Sequence, residues 1–403
     1  MEHFVVVGAG QAGQSLCAKL RALRFEGRIT LIGEETAPPY QRPPLSKAYL
    51  LGDMPLERLY LRPLEFYDDQ NIELRLGAPV SAIDPAAKTI TIGDDVVAYD
   101  KLALTTGSIP RQLPAAIGGT LDGVFTVRTL ADVDAMAPEF QKGRRVLIIG
   151  GGYIGLEAAA VAAKRGLDVT LVEMADRILQ RVASEDTSAY FADLHARHGV
   201  KILTGVGLQQ LNGQSHVAGA TLTDGTELDA DFVIVGVGIA PAQGLAEAAG
   251  LSIENGIKVD RFSCTSDPSI FSAGDCASFP AGGAQMRLES VGNAIDQAES
   301  AAANMLGHDV EYVPKPWFWS DQYDVKLQIA GLGAGHDETV TRPTDEAGAQ
   351  SIWYFKGDQL LAVDAMNDPR AYMVGKRLIE AGLTAPKAAI SDPSFELKAL
   401  LKR

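Results

Sequence analysis

One pattern occurs twice in this chain and restricts what it can fold into: a short apolar run, a glycine-rich turn, a helix-forming stretch, a second apolar run and then a glutamate. In the first copy, Phe4 to Val7 reads as a buried parallel strand and stops at Gly8-Ala9-Gly10-Gln11-Ala12-Gly13. A helix follows, then a strand over Arg28 to Ile32, with Glu34 or Glu35 just beyond it. In the second copy, Arg145 to Ile149 precedes Gly150-Gly151-Gly152-Tyr153-Ile154-Gly155, an alanine-rich helix to Arg165, and a strand over Val169 to Glu173. The chemistry follows from the spacing. Gly8 permits a tight turn, Gly10 leaves room for a pyrophosphate against the backbone, and Gly13 lets the helix pack closely on the strand. The free N–H groups and positive end of the helix then face the phosphates, and the glutamate accepts from a ribose hydroxyl. Two such units predict two bound dinucleotides. Glu173, with no arginine beside it, favours a free 2'-hydroxyl and so NADH over NADPH, although Arg177 and Arg181 lie downstream.

Composition narrows the class. At 403 residues the chain exceeds one ordinary core, so two or three domains are expected. It is 46% apolar and 22% charged, as in soluble globular proteins, and no apolar run reaches membrane-spanning length. The N-terminus enters a strand rather than a signal peptide, so a cytoplasmic address is expected. A net charge of -15 argues against nucleic acid or an anionic membrane as partner. It also means that an acidic protein partner needs a local basic patch. Three widely spaced cysteines, Cys17, Cys264 and Cys276, suggest neither a disulfide framework nor a metal cluster and read as core residues. His195 and His198, near the end of a helix, read as exposed surface rather than metal ligands.

Between the two units, the prolines of Pro38-Pro39-Tyr40-Gln41-Arg42-Pro43-Pro44-Leu45-Ser46-Lys47 exclude a regular helix before about Ser46, which predicts a stiff extended loop leading into a short helix and presenting Arg42 and Lys47. Short strands are expected over Ile72 to Leu76, Val80 to Ile83, Thr89 to Ile92 and Lys101 to Leu104, the last ending in Thr105-Thr106-Gly107-Ser108. A similar strand end, Gly236-Val237-Gly238-Ile239-Ala240-Pro241, marks a second crossing between domains. Asp275, after Gly274 at another strand end, is placed to accept from a sugar or ribityl hydroxyl, and a helix is expected from about Asn293 to Leu306. The last 85 or so residues read as a small α+β domain, opening on Trp317-Phe318-Trp319-Ser320 and carrying a helix over Ala371 to Ala381.

Taken together, GAGQAG, PPYQRPPLSKAYL, TTGS, GGGYIGLE, SAGDCA, RLESVGNAIDQA and PWFWSDQY, in this order, resemble the FAD- and NADH-dependent ferredoxin reductases of bacterial cytochrome P-450 and Rieske dioxygenase systems. The resemblance covers essentially the whole chain. It implies an α/β fold with two Rossmann-like dinucleotide-binding domains, glutathione-reductase-like, plus a small α+β C-terminal domain. The FAD-binding domain would comprise residues 1–111 and 242–315, the NAD-binding domain 112–241 and the C-terminal domain 316–403. It further implies that FAD is held by Ala12 at the pyrophosphate turn, Glu34 at the adenosine ribose, Lys47 beside the flavin, Val80 and Arg128 at the adenine side or diphosphate, Asp275 at the ribityl chain and Val291 at the pyrimidine edge. Arg42, Thr106, Gly107, Gly238 and Gly274 are further candidate cofactor-binding residues. NADH would lie along Gly152 to Leu156 with Glu173 on its ribose. Glu157 resembles the glutamate that pairs with the flavin lysine, Tyr153 the aromatic that shields the flavin, and Trp319 the residue that approaches it from the C-terminal domain. Lys47 and Glu157 are thus the candidate catalytic pair. The implied reaction moves electrons from NADH through FAD to a 2Fe-2S ferredoxin serving a cytochrome P-450 or a Rieske oxygenase. That ferredoxin is expected to dock on a basic surface including Arg62 and Lys326.

The chain departs from the family in places. Thr105 replaces the common alanine before Thr106-Gly107, Ala242 stands where many relatives have asparagine, and Glu299 follows NAIDQA where several have arginine. No CxxxxC pair follows the first helix, so a disulfide reductase would lack its dithiol relay. A rubredoxin reductase belongs to the same enzyme class. A redox-sensing flavoprotein like the apoptosis-inducing factors is the other alternative, but it would bring long C-terminal insertions for which this compact segment leaves no obvious room.

Overall fold

The computed structural model describes residues 1–344 and 348–402. The chain forms two compact units. One comprises Met1–Arg42, Pro55–Ile109 and Ile239–Pro316; the other comprises Pro43–Met54, Pro110–Gly238 and Trp317–Arg403.

The first unit is built on a five-stranded parallel sheet in the order Ile270–Ser272, Lys101–Leu104, His3–Val7, Arg28–Ile32, Ile72–Arg75. Its central strand runs in register with the next, His3 opposite Arg28 and Val7 opposite Ile32. Side chains alternate across such a sheet, and both faces here are covered. Phe4 and Val6 pack with Leu16, Leu20 and Ala301 on one side, while Val5 and Val7 pack with Ile83, Ile90 and Leu104 on the other. The helix Val291–Met305 carries Ala298, Ala301 and Ala302, whose small side chains fill the core beside the helix Gln11–Ala22. Glu299 meets Lys19 of that helix at 2.9 Å, which gives the departure from arginine a structural partner. A three-stranded antiparallel sheet, Val80–Asp84, Thr89–Ile92 and Asp95–Ala98, completes this half of the unit.

The second unit repeats the plan: a parallel sheet ordered Lys201–Thr204, Asp168–Glu173, Arg145–Ile149, Phe232–Val235, Val124–Phe125, and an antiparallel trio Leu208–Gly213, Val217–Leu222, Glu227–Asp229. Its C-terminal part is a five-stranded antiparallel sheet, ordered Trp317–Gln322, Val325–Gly331, Gln359–Met366, Gln350–Lys356, Glu338–Pro343. The amphipathic helix Pro369–Glu380 covers one face, packing Tyr372, Val374 and Leu378 with Trp353, Phe355 and Val363.

Two expectations need correction, at the proline-rich loop and at His195. The proline-rich loop already turns helically at Pro43–Ser46, a 3-10 turn ahead of the expected short helix, Ala48–Leu51, because proline is tolerated where no intrahelical N–H is required. The tryptophan-rich run Trp317–Gln322 is itself a strand, with Trp317, Phe318 and Trp319 half-buried and only Ser320 and Gln322 fully inside. His195 is completely buried; His198 alone is exposed. Of the cysteines, Cys17 and Cys276 are buried and Cys264 is half-buried, all three with free thiols. No helix among the described residues is long and apolar enough to cross a membrane, and none of their His, Cys, Asp and Glu side chains cluster as a metal site.

Candidate functional site

The two glycine turns are alike in atomic detail. A Cβ on Gly13 would lie 2.0 Å from the Gly8 carbonyl oxygen, and one on Gly155 would lie 2.1 Å from that of Gly150. Only glycine lets either helix start this close to its strand. By contrast, nothing lies within 4 Å of a Cβ placed on Gly10 or Gly152. Each of these residues is a helix N-cap with no side-chain cap and no acidic residue in the first turn. Both helices therefore present free donors and a positive end to open space, with the geometry and the sign of charge suited to a pyrophosphate. FAD at the first turn and NAD(H) at the second fit these cradles.

In the first unit, the two glutamates after the second strand have separate tasks. Glu35 Oε1 receives Arg42 at 2.7 Å, and its Oε2 accepts from Tyr40 Oη at 2.6 Å. Glu34 is exposed and has no such bond among the described residues, which leaves its carboxylate open to a ligand. Arg42, half-buried beside Tyr40, reaches Glu35 rather than standing as a free cation. Thr105, unremarked beyond its departure from alanine, is buried and donates to the Gly8 carbonyl at 2.8 Å, fixing the turn from the neighbouring strand. Thr106 Oγ1 donates to the Ala242 carbonyl at 2.6 Å, and the Ala242 N–H returns a bond to Gly107 at 2.9 Å. The chain crossings at Gly107 and Pro241 are thus tied together through backbone groups, which alanine at 242 satisfies. Asp275, after Gly274 and half-buried, accepts from Ser108 Oγ at 2.9 Å. Val291 is the first residue of its helix, which Ser290 caps by accepting the Asn293 N–H. Val80 starts the small antiparallel sheet and is half-buried.

In the second unit, Glu173 accepts from Gly151 N–H at 2.7 Å through one oxygen and from Ala175 N–H at 2.8 Å through the other. Arg177 is turned inward, donating to the Ser184 carbonyl and to Ser188 Oγ. It is therefore committed away from a 2'-phosphate. Arg181 is exposed, with its guanidinium 3.7 Å from where a Cβ on Gly238 would lie. Arg128 belongs to this unit. Its backbone N–H donates to Asp132, whose side chain also closes the capping box of the helix Leu130–Met136. Ile154 is largely exposed, while the Tyr153 hydroxyl is buried with no hydrogen-bond partner among the described residues. Burial pushes that phenol well above its ordinary range, with Asp364, Tyr354 and Glu157 adding to the rise.

The carboxylate of Glu157 sits at the centre of a buried hydrogen-bond cluster. It is 5% exposed and accepts three bonds. Lys47 Nζ and Ser46 Oγ each donate to Oε2 at 2.7 Å, and Ser320 Oγ donates to Oε1 at 2.7 Å. Lys47 also donates to the Pro43 carbonyl at 3.2 Å. The proline-rich segment, the second glycine-turn helix and the tryptophan-rich strand thus converge on one ion pair. Such a buried pair is sustained only when its remaining hydrogen-bonding capacity is filled, as here. A cavity of about 230 Å³ opens beside it, lined by Lys47, Asp53, Glu157, Lys164, Asp321 and Tyr323. Trp319 stacks on Trp317 with centroids 5.4 Å apart, and both line a second cleft of similar volume with Lys326 and Tyr372. Sequence reasoning found Lys47 and Glu157 but not Ser46, Ser320 or the residues behind them. Ser320 and Gln322 are two apart on a strand and therefore share a face, the one signal that pointed inward.

Comparison with known proteins identifies the family. Residues 2–298 match the pyridine nucleotide-disulphide oxidoreductase family, and residues 317–401 match the reductase C-terminal family. The 5,5'-dehydrodivanillate O-demethylase ferredoxin reductase subunit of Sphingobium sp. is 43% identical over 99% of both chains. The ferredoxin--NAD(+) reductase component of the anthranilate 1,2-dioxygenase system of Burkholderia cepacia is 40% identical over 99% of both chains. Among solved structures, the covalent putidaredoxin reductase-putidaredoxin complex superposes with a TM-score of 0.95 at 40% identity, covering 100% of this chain and 98% of that one. With both glycine-turn units and the C-terminal sheet accounted for, the chain belongs to the pyridine nucleotide-disulphide oxidoreductase family, among its ferredoxin reductases.

Proposed function

We propose that this protein is an FAD-dependent NADH:ferredoxin reductase, delivering electrons to a 2Fe-2S ferredoxin that serves a cytochrome P-450 monooxygenase or a Rieske dioxygenase. The observation that carries the reading is the pair of matched, uncapped glycine turns, each with open space where a pyrophosphate fits, in a chain whose relatives are named as ferredoxin reductases. When bound, FAD would supply a centre able to accept two electrons together from nicotinamide and release them singly, as a 2Fe-2S acceptor requires.

The residues divide the work. Gly8, Gly10, Ala12 and Gly13 receive the FAD pyrophosphate; Glu34 takes its ribose, Asp275 its ribityl chain and Val291 its pyrimidine edge. Gly150, Gly152, Tyr153, Ile154 and Gly155 receive NADH, and Glu173 selects its free 2'-hydroxyl. Lys47 supplies positive charge where the electron pair arrives, and Glu157 holds Lys47 in place; no general base is needed. We read residues 1–111 and 242–315 as FAD-binding, 112–241 as NAD-binding and 316–403 as the C-terminal domain. Arg62 and Lys326, both exposed, are the cations we assign to ferredoxin, whose apparent KM should rise with salt. We assign the protein to the cytoplasm.

The test is anaerobic stopped-flow mixing of the yellow protein with NADH or NADPH, followed by 2Fe-2S ferredoxins from the same organism. Fast bleaching by NADH and one-electron reduction of a ferredoxin are expected. Bleaching that is reversed only by oxygen or peroxide would place the protein among oxidases or peroxidases.

A further inference from the structure

Behind Glu157 lies an unbroken line of hydrogen-bonded polar side chains. Ser320 Oγ donates to Glu157 Oε1 at 2.7 Å, and Gln322 Nε2 reaches Ser320 Oγ at 3.1 Å. Gln322 Oε1 is 2.8 Å from His195 Nε2, and His195 Nδ1 is 3.1 Å from Tyr323 Oη. Ser320, Gln322 and His195 are wholly buried; Tyr323, half-buried, stacks on the exposed His198 with ring centroids 3.6 Å apart.

The direction of every bond in this line follows from its first member. A carboxylate only accepts, so the Ser320 hydroxyl proton goes to Glu157 and its oxygen is left to accept. Gln322 must therefore turn its NH2 toward Ser320 and its carbonyl toward His195. His195 must then carry its proton on Nε2. Burial keeps this imidazole neutral, with a pKa lowered to about 4, so Nδ1 is an acceptor and Tyr323 Oη donates to it. All four donors point toward Glu157, and aligned bonds of this kind polarise and strengthen one another. The Gln322 amide is neither an acid nor a base near neutral pH, so the line transmits orientation rather than protons.

We propose that Tyr323, His195, Gln322 and Ser320 form a directional relay that holds Glu157 as a pure acceptor aimed at Lys47, making Ser320, Gln322 and His195 positioning residues for electron transfer from NADH. The functional half of this proposal rests on the reading of Lys47 and Glu157 given above.

A reversal experiment tests it. In Glu157→Gln, Lys47 and Ser46 still donate to one side of residue 157, so the new carbonyl stays there and the new NH2 faces Ser320. Ser320 must then accept from residue 157 and donate to a turned Gln322 amide, whose NH2 faces His195. His195 can accept at Nε2 only by moving its proton to Nδ1, with Tyr323 as acceptor. The holoprotein, labelled with 15N-histidine, has six histidines, and His195 is identified by the signal lost in His195→Gln. We expect the protonated nitrogen to be Nε2 in the unmodified protein and Nδ1 in Glu157→Gln. Ser320→Ala added to Glu157→Gln should leave the proton on Nε2. The same tautomer with and without Glu157→Gln, or a swap that persists without the Ser320 hydroxyl, overturns the relay. For the positioning role, Gln322→Leu should slow flavin reduction by NADH about tenfold, the upper end of what one hydrogen bond between neutral groups contributes, with the KM for NADH unchanged. Ser320→Ala serves if that variant does not fold. An unchanged reduction rate overturns the positioning role. Transfer to ferredoxin enters neither measurement, so failure of the relay and failure of the reductase reading are told apart.

Discussion

Glu173 Oε2 accepts the backbone N–H of Gly151 at 2.7 Å, so the carboxylate assigned to the NADH ribose also fixes the turn that would receive the NADH pyrophosphate. Its second oxygen holds Ala175 N–H, which keeps both oxygens oriented before any ligand arrives. Glu173→Gln removes the charge and replaces one acceptor by a donor. The KM for NADH should rise by about tenfold, the scale of a hydrogen bond to a charged group, with kcat little changed. NADPH should gain nothing, because Arg177 is committed to Ser184 and Ser188. Steady-state kinetics with both nucleotides check this; undiminished preference for NADH in the variant would remove Glu173 from specificity.

The first glycine turn separates two costs that are usually entangled. Gly13→Ala forces a Cβ to within 2.0 Å of the Gly8 carbonyl and against the Thr105 hydroxyl, so the FAD-free protein should lose about 3 kcal/mol. At Gly10 a Cβ meets nothing within 4 Å. Gly10→Ala should change the stability of the FAD-free protein by under about 1 kcal/mol while lowering FAD affinity about ten- to a hundredfold, because the methyl occupies space meant for the pyrophosphate. Urea denaturation and flavin fluorescence titration report the two effects independently. Equal FAD affinity in Gly10→Ala and the parent would refute the assignment of that space.

These turns were legible in the sequence because each is local: strand, glycines, helix and acid lie within about thirty residues, and each glycine has its own steric reason. The pairing of Lys47 with Glu157 spans 110 positions and was visible only through family resemblance. The relay behind it was not visible at all. Its members come from the helix Glu185–Arg197, the strand Trp317–Gln322 and Tyr323 in the turn after it, and no spacing rule links the helix to the rest. His195 was misread as surface because Arg197 and His198 follow it. Yet it sits one and four positions after Leu194 and Phe191, on the buried stripe of its helix, and that periodicity outweighs the polarity of its neighbours. Ser320 was hidden by the tryptophans before it, which drew attention to aromatic packing.

The cysteines give a direct check on the absence of dithiol chemistry. Burial pushes the Cys17 thiol up to about 12, and Cys264 is raised by burial together with Asp260. Since the thiolate is the reactive form, neither should react at a useful rate in the folded protein. A chromogenic disulfide reagent at neutral pH should therefore label fewer than one thiol per chain in minutes and all three after denaturation. Rapid native labelling of Cys17 would contradict the packing around the first helix.

Two buried groups of the second unit should make stability depend on acid in opposite senses. His195 is held down to about 4 by burial, so between that value and its ordinary 6.5 the unfolded chain binds a proton that the folded chain does not. Its contribution is complete above pH 6.5 and is lost as pH falls through this window, about 3 kcal/mol in all. Asp364 is raised to about 6 by burial, its hydrogen bonds from Tyr354 and Thr187 only partly opposing this. Between its ordinary 3.8 and about 6 the folded chain holds the extra proton, so this contribution is lost as pH rises, again by about 3 kcal/mol. The two nearly cancel over about pH 4 to 6. Single variants should expose each one. Relative to the parent, His195→Gln should gain stability on going from about pH 7 to about pH 4.5, and Asp364→Asn should lose it. Urea denaturation at the two pH values measures both differences, in which the other titrating groups cancel. Shifts of the same sign in the two variants would mean that one of these residues does not carry, in the folded protein, the charge its burial dictates.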